Sequence, residues 1–320
     1  MVRLLVPILL LIALAVASLF IGVSSISPLA VLFGHADDRA LMLLGASRLP
    51  RTLALLIAGA GMAVAGTIMQ MLARNKFVEP STAGTVESAA LGMLTVLLLA
   101  PDLPVFLKML VAAAFALAGT TLFLAILRRI PLRSVLMVPL IGIMLGGVIS
   151  AITAFIAYRF DMMQTMGAWT SGDFSTVLRG RYEILWVAFG LTAAAYIAAD
   201  RFTLAGMGEE LATNLGLNYR RVLTLGLIIV SLVTASVVVT AGVVPFVGLI
   251  VPNVIGLVAG DSLRRTLPWI ALCGAILVLG CDIVGRVVNA PFEIPVGSVL
   301  GIVGGVFFLY LLLRKRSRAV

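Results

Sequence analysis

The sequence predicts an all-α polytopic membrane protein of about ten transmembrane helices with both termini in the cytoplasm. Three observations lead there. The 320 residues are 62% hydrophobic and 12% charged, with a mean hydropathy of +1.18, whereas soluble chains carry roughly 25% charged residues. A spanning helix takes ~20 apolar residues, so the apolar runs fill about ten spans and leave only short connections. Residues 1–320 therefore read as one transmembrane domain without a soluble appendage. Finally, 15 of the 23 basic residues fall in segments that one alternating topology puts on a single side: Arg3; Arg74 and Lys76; Arg128, Arg129 and Arg133; Arg201, Arg220 and Arg221; Arg264 and Arg265; Arg314, Lys315, Arg316 and Arg318. That is the positive-inside pattern. The net charge of +9 thus reports orientation and not a nucleic-acid partner.

Leu4 to Val23 is the first span. Its apolar stretch of about 19 residues exceeds the ~7–15 of a signal-peptide core, so it is expected to stay uncleaved. Ser24 to Pro50 reads as an outer loop; its His35 has no Cys or Glu neighbour at ligand spacing and reads as a surface residue. The loop ends in SRLPR, Ser47 to Arg51. Arg48 and Arg51, on the side where arginine is scarce, read either as interfacial anchors or as a docking point for an acidic partner outside.

Arg51 to Ala73 is the second span. Its GAGMAVAG, Gly59 to Gly66, lacks the G-x-G-x-x-G spacing and the strand-turn-helix setting of a nucleotide fingerprint. Close helix packing is the remaining reading, and small-xxx-small pairs recur at Gly142/Gly146, Gly256/Gly260 and Gly301/Gly305. The next stretch, QMLARNKFVEPSTAGTVESAALG (Gln70 to Gly92), carries Asn75, Glu79, Pro80 and Ser81, then Glu87 at the head of a short apolar run to Ala100. Irregular backbone and polar side chains at membrane depth stand only inside protein or beside water, so a cavity wall or gate is expected. Glu87 is either a functional intramembrane acid or, the preferred reading, a residue at the cytoplasmic interface.

Further spans are expected at Val105 to Leu127, Val135 to Tyr158 and Ile184 to Ala199, with Trp169 and Tyr182 of the outer segment Arg159 to Glu183 at belt positions. Asp200 to Thr224, DRFTLAGMGEELATNLGLNYRRVLT, then interrupts the apolar runs on the cytoplasmic side. Glu209 and Glu210 suit the start of a short helix and Gly216 its end. Asn218 is placed to cap the helix that follows. Leu211 and Leu215 share one face at i, i+4, either resting on the membrane domain or offered to a soluble partner.

The last spans are Val222 to Ala241, Phe246 to Ala259, Leu267 to Val288 and Ile294 to Leu313. Pro245 and Pro252 flank a short apolar segment, so broken or kinked helices are expected there. Cys273 and Cys281 lie eight residues apart in one run, ~12 Å by helical rise and too far for a disulfide. Asp282 and Arg286 at i, i+4 read as an internal ion pair, with Glu293 after a Pro-containing turn.

Taken together, SRLPRTLALLIAGAGMAVAGTIMQ, RNKFVEPSTAG, ELATNLGLN, PFVGLIVPN, CDIVGR and EIPVG, in this order from residue 47 almost to the end, resemble the FecCD-type family. These are permease subunits of ABC importers for iron-siderophores, haem and vitamin B12. The resemblance implies a vitamin B12 importer permease-like fold of ten helices in the bacterial cytoplasmic (inner) membrane. It also implies a second permease subunit, identical or paralogous, two cytoplasmic ATPases and an extracytoplasmic substrate-binding protein. Residue by residue, the ATPase-coupling helix falls on Glu209, Glu210, Leu211, Ala212, Asn214, Leu215, Gly216 and Leu217. The arginines that meet the binding protein fall on Arg48, Arg51 and Arg286. The cytoplasmic gate loop, usually of Asn-Pro-Leu-Ala type, falls on Asn75, Lys76, Phe77 and Val78 and departs from that pattern. The family's usual histidine is Asn253 here, and the arginine that often follows is Gly256. The FVEPSTAGT variant is similar to the branch handling iron-catecholate and related siderophores, so a ferric siderophore is the expected cargo, with haem or vitamin B12 as alternatives.

The chain has no G-x-x-x-x-G-K-[ST], so ATP and Mg are expected on the partner ATPase and no cofactor in this subunit. Broken helices and the acids Glu87 and Asp282 also suit an ion-coupled secondary transporter. No nucleophile–base pair or metal constellation can be assembled, which sets a membrane enzyme aside in favour of a transport subunit.

Overall fold

The computed structural model describes residues 2–22, 27–33, 37–130, 136–260 and 262–316, so His35, Arg133 and Arg318 lie outside the described residues. Among the described residues the chain is helical and without strands. In order it forms α1 (Val2–Phe20), α2 (Pro28–Leu32), α3 (Asp38–Leu43), a π turn (Leu44–Arg48), α4 (Leu49–Leu72), a 3-10 turn (Pro80–Thr82), α5 (Thr85–Leu99), α6 (Val105–Arg129) and α7 (Met137–Arg159). Then follow α8 (Met163–Thr170), α9 (Leu185–Ile197), α10 (Ala199–Gly206), α11 (Glu209–Asn214), α12 (Tyr219–Ala241), α13 (Val247–Ala259), α14 (Leu263–Val288) and α15 (Val296–Arg316). Among the described residues, five stretches are long and apolar enough to cross a membrane: Asp38–Leu72, Val105–Arg129, Met137–Arg159, Tyr219–Ala241 and Leu263–Val288. The pair α9 and α10, bent by 68°, adds a broken span, and α1, α5, α13 and α15 are shorter apolar helices. The protein is a polytopic, all-α membrane protein.

The axis of the bundle is α4, which buries 19 of its 24 residues and packs against α14, α13, α12 and α9. A helix apolar all round belongs in the middle, and the glycines of its GAGMAVAG allow the neighbours to come close. A Cβ at Gly59 would lie 2.5 Å from the Gly274 carbonyl oxygen, and one at Gly66 only 2.2 Å from Gly248 Cα. Gly142 and Gly146 of α7 serve likewise, facing the Thr82 carbonyl and the Glu87 carboxyl. The Gly301/Gly305 pair differs from the packing expected of it: a Cβ at either would meet nothing within 4 Å. That face of α15 is open.

The outer loop expected from Ser24 to Pro50 is corrected over its second half, where α3 and the π turn run directly into α4 as one helical stretch of 35 residues. Asp37 and Asp38 favour a helix start, and only Gly45 interrupts the residues up to Pro50. Proline lacks the N–H that would bond the carbonyl four residues back, here Ala46. The wider π turn absorbs the conflict, and the freed Ala46 carbonyl accepts the Arg179 N–H at 3.0 Å.

Replacing Gly66 by Ala forces a Cβ into Gly248 backbone, which has no flexible side chain to move. The expected cost is about 1–3 kcal/mol, read as a lowered melting temperature of the detergent-solubilised protein. Gly45→Ala, facing open space, is expected to leave the melt unchanged.

Candidate functional site

The functional residues gather at the two ends of α4. At its start stands a buried charge network. Asp282 of α14, 1% exposed, takes the fork of Arg51 on Oδ1, with Nε at 3.1 Å and Nη2 at 2.7 Å. Its Oδ2 accepts from Arg286 one turn on, so the expected ion pair is present. Arg51 also donates to Glu293 Oε2 at 2.6 Å. Arg286 reaches on to α1, donating to the Ser18 and Ile21 carbonyls, both at 2.9 Å, and to the Ser18 hydroxyl. Arg48 donates to the Leu19 carbonyl at 2.8 Å. The last carbonyls of a helix have no partner within it, and cations are favourable there. Two guanidinium groups thus finish α1, and Asp282 holds one of them and Arg51 in place.

The three arginines expected at a docking surface are therefore turned inward in this chain, at 9%, 9% and 6% exposure for Arg48, Arg51 and Arg286. The exposed arginines beside them are Arg179 and Arg181. Sequence reading passed over both, although the LRGRYE run they sit in placed two further arginines on the arginine-poor side.

At the other end, α4 stops at Arg74, whose φ of 47° reverses the chain, and the Asn75 N–H closes onto the Gln70 carbonyl at 2.9 Å. The segment Asn75 to Glu79 then turns back beside α13. Asn75 Oδ1 accepts the Phe77 N–H at 2.8 Å. Asn253 Nδ2 donates to the Lys76 carbonyl at 2.8 Å, and Gln70 Nε2 donates to the Gly248 carbonyl at 3.1 Å. The Phe77 ring meets Phe308 of α15 edge-on, 6.0 Å between centroids. Lys76 and Phe77 line a cavity of about 310 Å³ together with Gln70, Asn253, Leu257 and Leu311. Of the sequence-predicted gate residues, Lys76 and Phe77 thus line a polar-edged cavity between α4, α13, α14 and α15, whereas Asn75 and Glu87 do not.

Glu79 is the residue of this region to which the sequence assigned no partner. It is fully buried and accepts the Phe246 N–H at 2.7 Å, 167 residues away, and the Ser81 hydroxyl. A half-length apolar run after Pro245 was the signal that some distant group must meet its first N–H. Glu87 lies against Gly146, with Oε2 buried and unpartnered; its carboxyl is enclosed by protein.

The short helix read from the sequence is α11. Gly208 (φ 115°) and Gly216 (φ 81°) bracket it in the region that favours glycine, and Glu209 and Glu210 occupy its first turn. The Leu217 N–H closes on the Ala212 carbonyl at 3.0 Å, and Asn218 Oδ1 caps α12 by accepting the Arg221 N–H at 3.1 Å. Ala212 is buried, whereas Leu211 and Leu215 are 48% and 60% exposed. The segment rests on the end of α4: a Cβ at Gly206 would lie 2.7 Å from Met71 Sδ, and one at Gly208 3.2 Å from Arg74 Nη1. So Gly208, the residue that opens α11, stands beside the residue immediately before the gate segment, while the arginine network stands at the far end of α4, ~36 Å away for 24 residues.

The model of the FecCD transport family matches residues 9–314. The chain is 50% identical over 310 residues to the petrobactin import system permease protein YclN of Bacillus subtilis (strain 168), covering 97% of this chain and 98% of that protein. It is 43% identical over 312 residues to the petrobactin import system permease protein FatD of Bacillus anthracis, covering 98% and 91%. A solved structure described as an inward-facing conformation of a metal-chelate type ABC transporter superposes with a TM-score of 0.80 at 25% identity, over 96% of this chain and 97% of that one.

Asp282→Leu leaves the buried Arg286 guanidinium without a carboxylate and Arg51 with Glu293 alone, and removing one partner of a buried pair costs about 3–5 kcal/mol. Loss of folded, detergent-soluble protein is the expected outcome. Asp200→Ala breaks only the exposed pair with Arg264, which water and salt screen, and the melting curve is expected to stay in place.

Proposed function

Because the chain belongs to the FecCD transport family, we propose that it is the membrane-spanning permease subunit of an ATP-driven importer that carries an iron(III)-siderophore across the bacterial cytoplasmic membrane. The observation that carries this reading is the placement of α11. A short helix offers two exposed leucines, Leu211 and Leu215, to the surroundings, and Gly208, which opens it, stands beside Arg74, one residue before the gate segment. Movement of α11 would be felt at Arg74 and so at Lys76 and Phe77. The likeness to petrobactin permeases over nearly the whole chain supports a siderophore as cargo.

In this reading all ten apolar helices cross the membrane, and the basic end that bears α11 faces the cytoplasm. Glu209 to Leu217 enter a cleft on the ATPase, one ATPase for each of two permease subunits, and ATP and Mg bind there. The second permease subunit, identical or paralogous, covers the apolar faces that this chain leaves open. On α7 these include Leu140, Met144, Val148 and Phe155, and on α15 Ile302, Val306 and Leu309 beside the unfilled Gly301 and Gly305. The extracytoplasmic binding protein docks on the opposite end, where Arg48, Arg51 and Arg286 fix the helix ends that form the surface. ATPase closure then alternates access to a path between the two permease subunits, with Asn75, Lys76 and Phe77 at its inner gate and Glu87 alongside.

An ion-coupled secondary transporter has one observation in its favour, the unpartnered buried oxygens of Glu79 and Glu87. Coupling to an ATPase separates the two readings. Leu211→Asp with Leu215→Asp is expected to leave the permease folded, since both side chains are exposed, but to abolish co-purification of the ATPase and ATP-driven uptake. An ATPase that still co-purifies, with uptake intact, contradicts the coupling role.

A further inference from the structure

Glu79 makes a contact with the start of α13 that the gate reading alone does not require. The segment Lys76 to Glu79 is tied to α13 at both ends, by Asn253 Nδ2 on the Lys76 carbonyl at 2.8 Å and by the Phe246 N–H on Glu79 Oε1 at 2.7 Å. Between these anchors the segment is turned on itself, with the Val78 N–H on the Asn75 carbonyl at 3.4 Å and the Phe77 N–H on Asn75 Oδ1 at 2.8 Å.

The need for this carboxylate comes from α13 itself. The helix begins beside Gly66 of α4, within the bundle, where the first N–H groups of a helix have to look beyond it for acceptors. The residue before it, Phe246, has no side-chain oxygen to cap with and holds a left-handed φ of 65°. Its ring is fixed on the far side by α15, where a Cβ at Gly304 would lie 2.3 Å from the Phe246 side chain. One turn along the same helix, Phe308 meets Phe77. The gate segment is thus clamped between α13 and α15, and Glu79 supplies the bond at its inner end.

We propose that Glu79 is the positioning residue of the gate segment: by accepting the first N–H of α13, its carboxylate locks Lys76–Glu79 to that helix, so that gate and helix move as one body. The proposal rests on the permease reading for the meaning of the movement, but not for the lock itself. Without it, the Asn253 bond and the Phe77–Phe308 contact would still hold the Lys76 end, and the Glu79 end would lose its tie to α13.

The test uses the full complex of permease, ATPase and binding protein in proteoliposomes. Val78→Cys, buried at 0% exposure, serves as reporter after Cys273→Ser and Cys281→Ala, and every comparison is made in that background. Glu79→Met keeps the length and removes the acceptor; Glu79→Gln keeps an acceptor for the Phe246 N–H. With Glu79→Met, labelling of residue 78 by a membrane-impermeant maleimide is expected to rise about tenfold, the factor that leaving one buried N–H without its acceptor implies for local opening. ATP hydrolysis is expected to persist while uptake per ATP falls, and Glu79→Gln is expected to behave as the background. Labelling at the background rate in Glu79→Met, or equally fast labelling in Glu79→Gln, overturns the proposal. If Glu79→Met does not assemble, Glu79→Asp, one methylene too short to reach Phe246, takes its place with the same outcomes. Uptake is followed with an iron-55-loaded petrobactin probe. Absence of ATP-driven uptake in the background protein counts against the importer reading, while the labelling comparison needs no cargo and still decides the lock.

Discussion

A helix that starts inside a protein bundle has to find acceptors for its first N–H groups among side chains, because no water reaches them. In this chain that constraint falls on α13, and the nearest rescue comes from Glu79, 167 residues earlier. Much of the inner half follows from it. The chain after α4 has to turn back beside α13 to bring Glu79 to Phe246, and the left-handed Arg74 makes that reversal. Lys76 and Phe77 are thereby placed at the cavity between α4, α13, α14 and α15. The close approach of Gly66 and Gly248 sets how near the two helices stand.

The opposite end of α4 answers a complementary demand. Helix α1 ends with unpaired carbonyls, and Arg48 and Arg286 supply the donors. Burying those guanidinium groups is tolerable only with a carboxylate among them, which is why Asp282 sits between Arg286 and Arg51 with no exposed surface of its own. The axial helix is consequently fixed at its first turn by charge and at its last by packing against α10 and the segment before α11. A rigid, buried rod anchored at both ends suits a subunit that conveys movement from one side of a membrane to the other.

What the sequence disclosed depended on how local each interaction is. The bounds of α11, the Asn218 cap and the Asp282–Arg286 pair all rest on residues within a few positions of one another, and each stands in the structure where spacing put it. The pairing of Arg51 with Asp282 spans 231 residues and had no periodic signature. The stretch from Asp38 to Pro50 was misread because Pro50 resembles a boundary; a π turn and the distant Arg179 N–H, neither of them visible in composition, carry the helix through it. Small-xxx-small spacing marked close-packing faces without saying what they face: Gly142 meets the Thr82 carbonyl and Gly146 the Glu87 carboxyl, while Gly301/Gly305 opens outward.

The account's central claim is that force reaches this gate from an ATPase and not from an ion gradient. The most direct measurement is accumulation of iron-55-loaded petrobactin in proteoliposomes that contain the permease pair, its ATPase and its binding protein. Uptake is predicted to require ATP on the ATPase side and to persist when ionophores collapse every ion gradient. Uptake that proceeds without ATP and stops with the gradient would contradict the account.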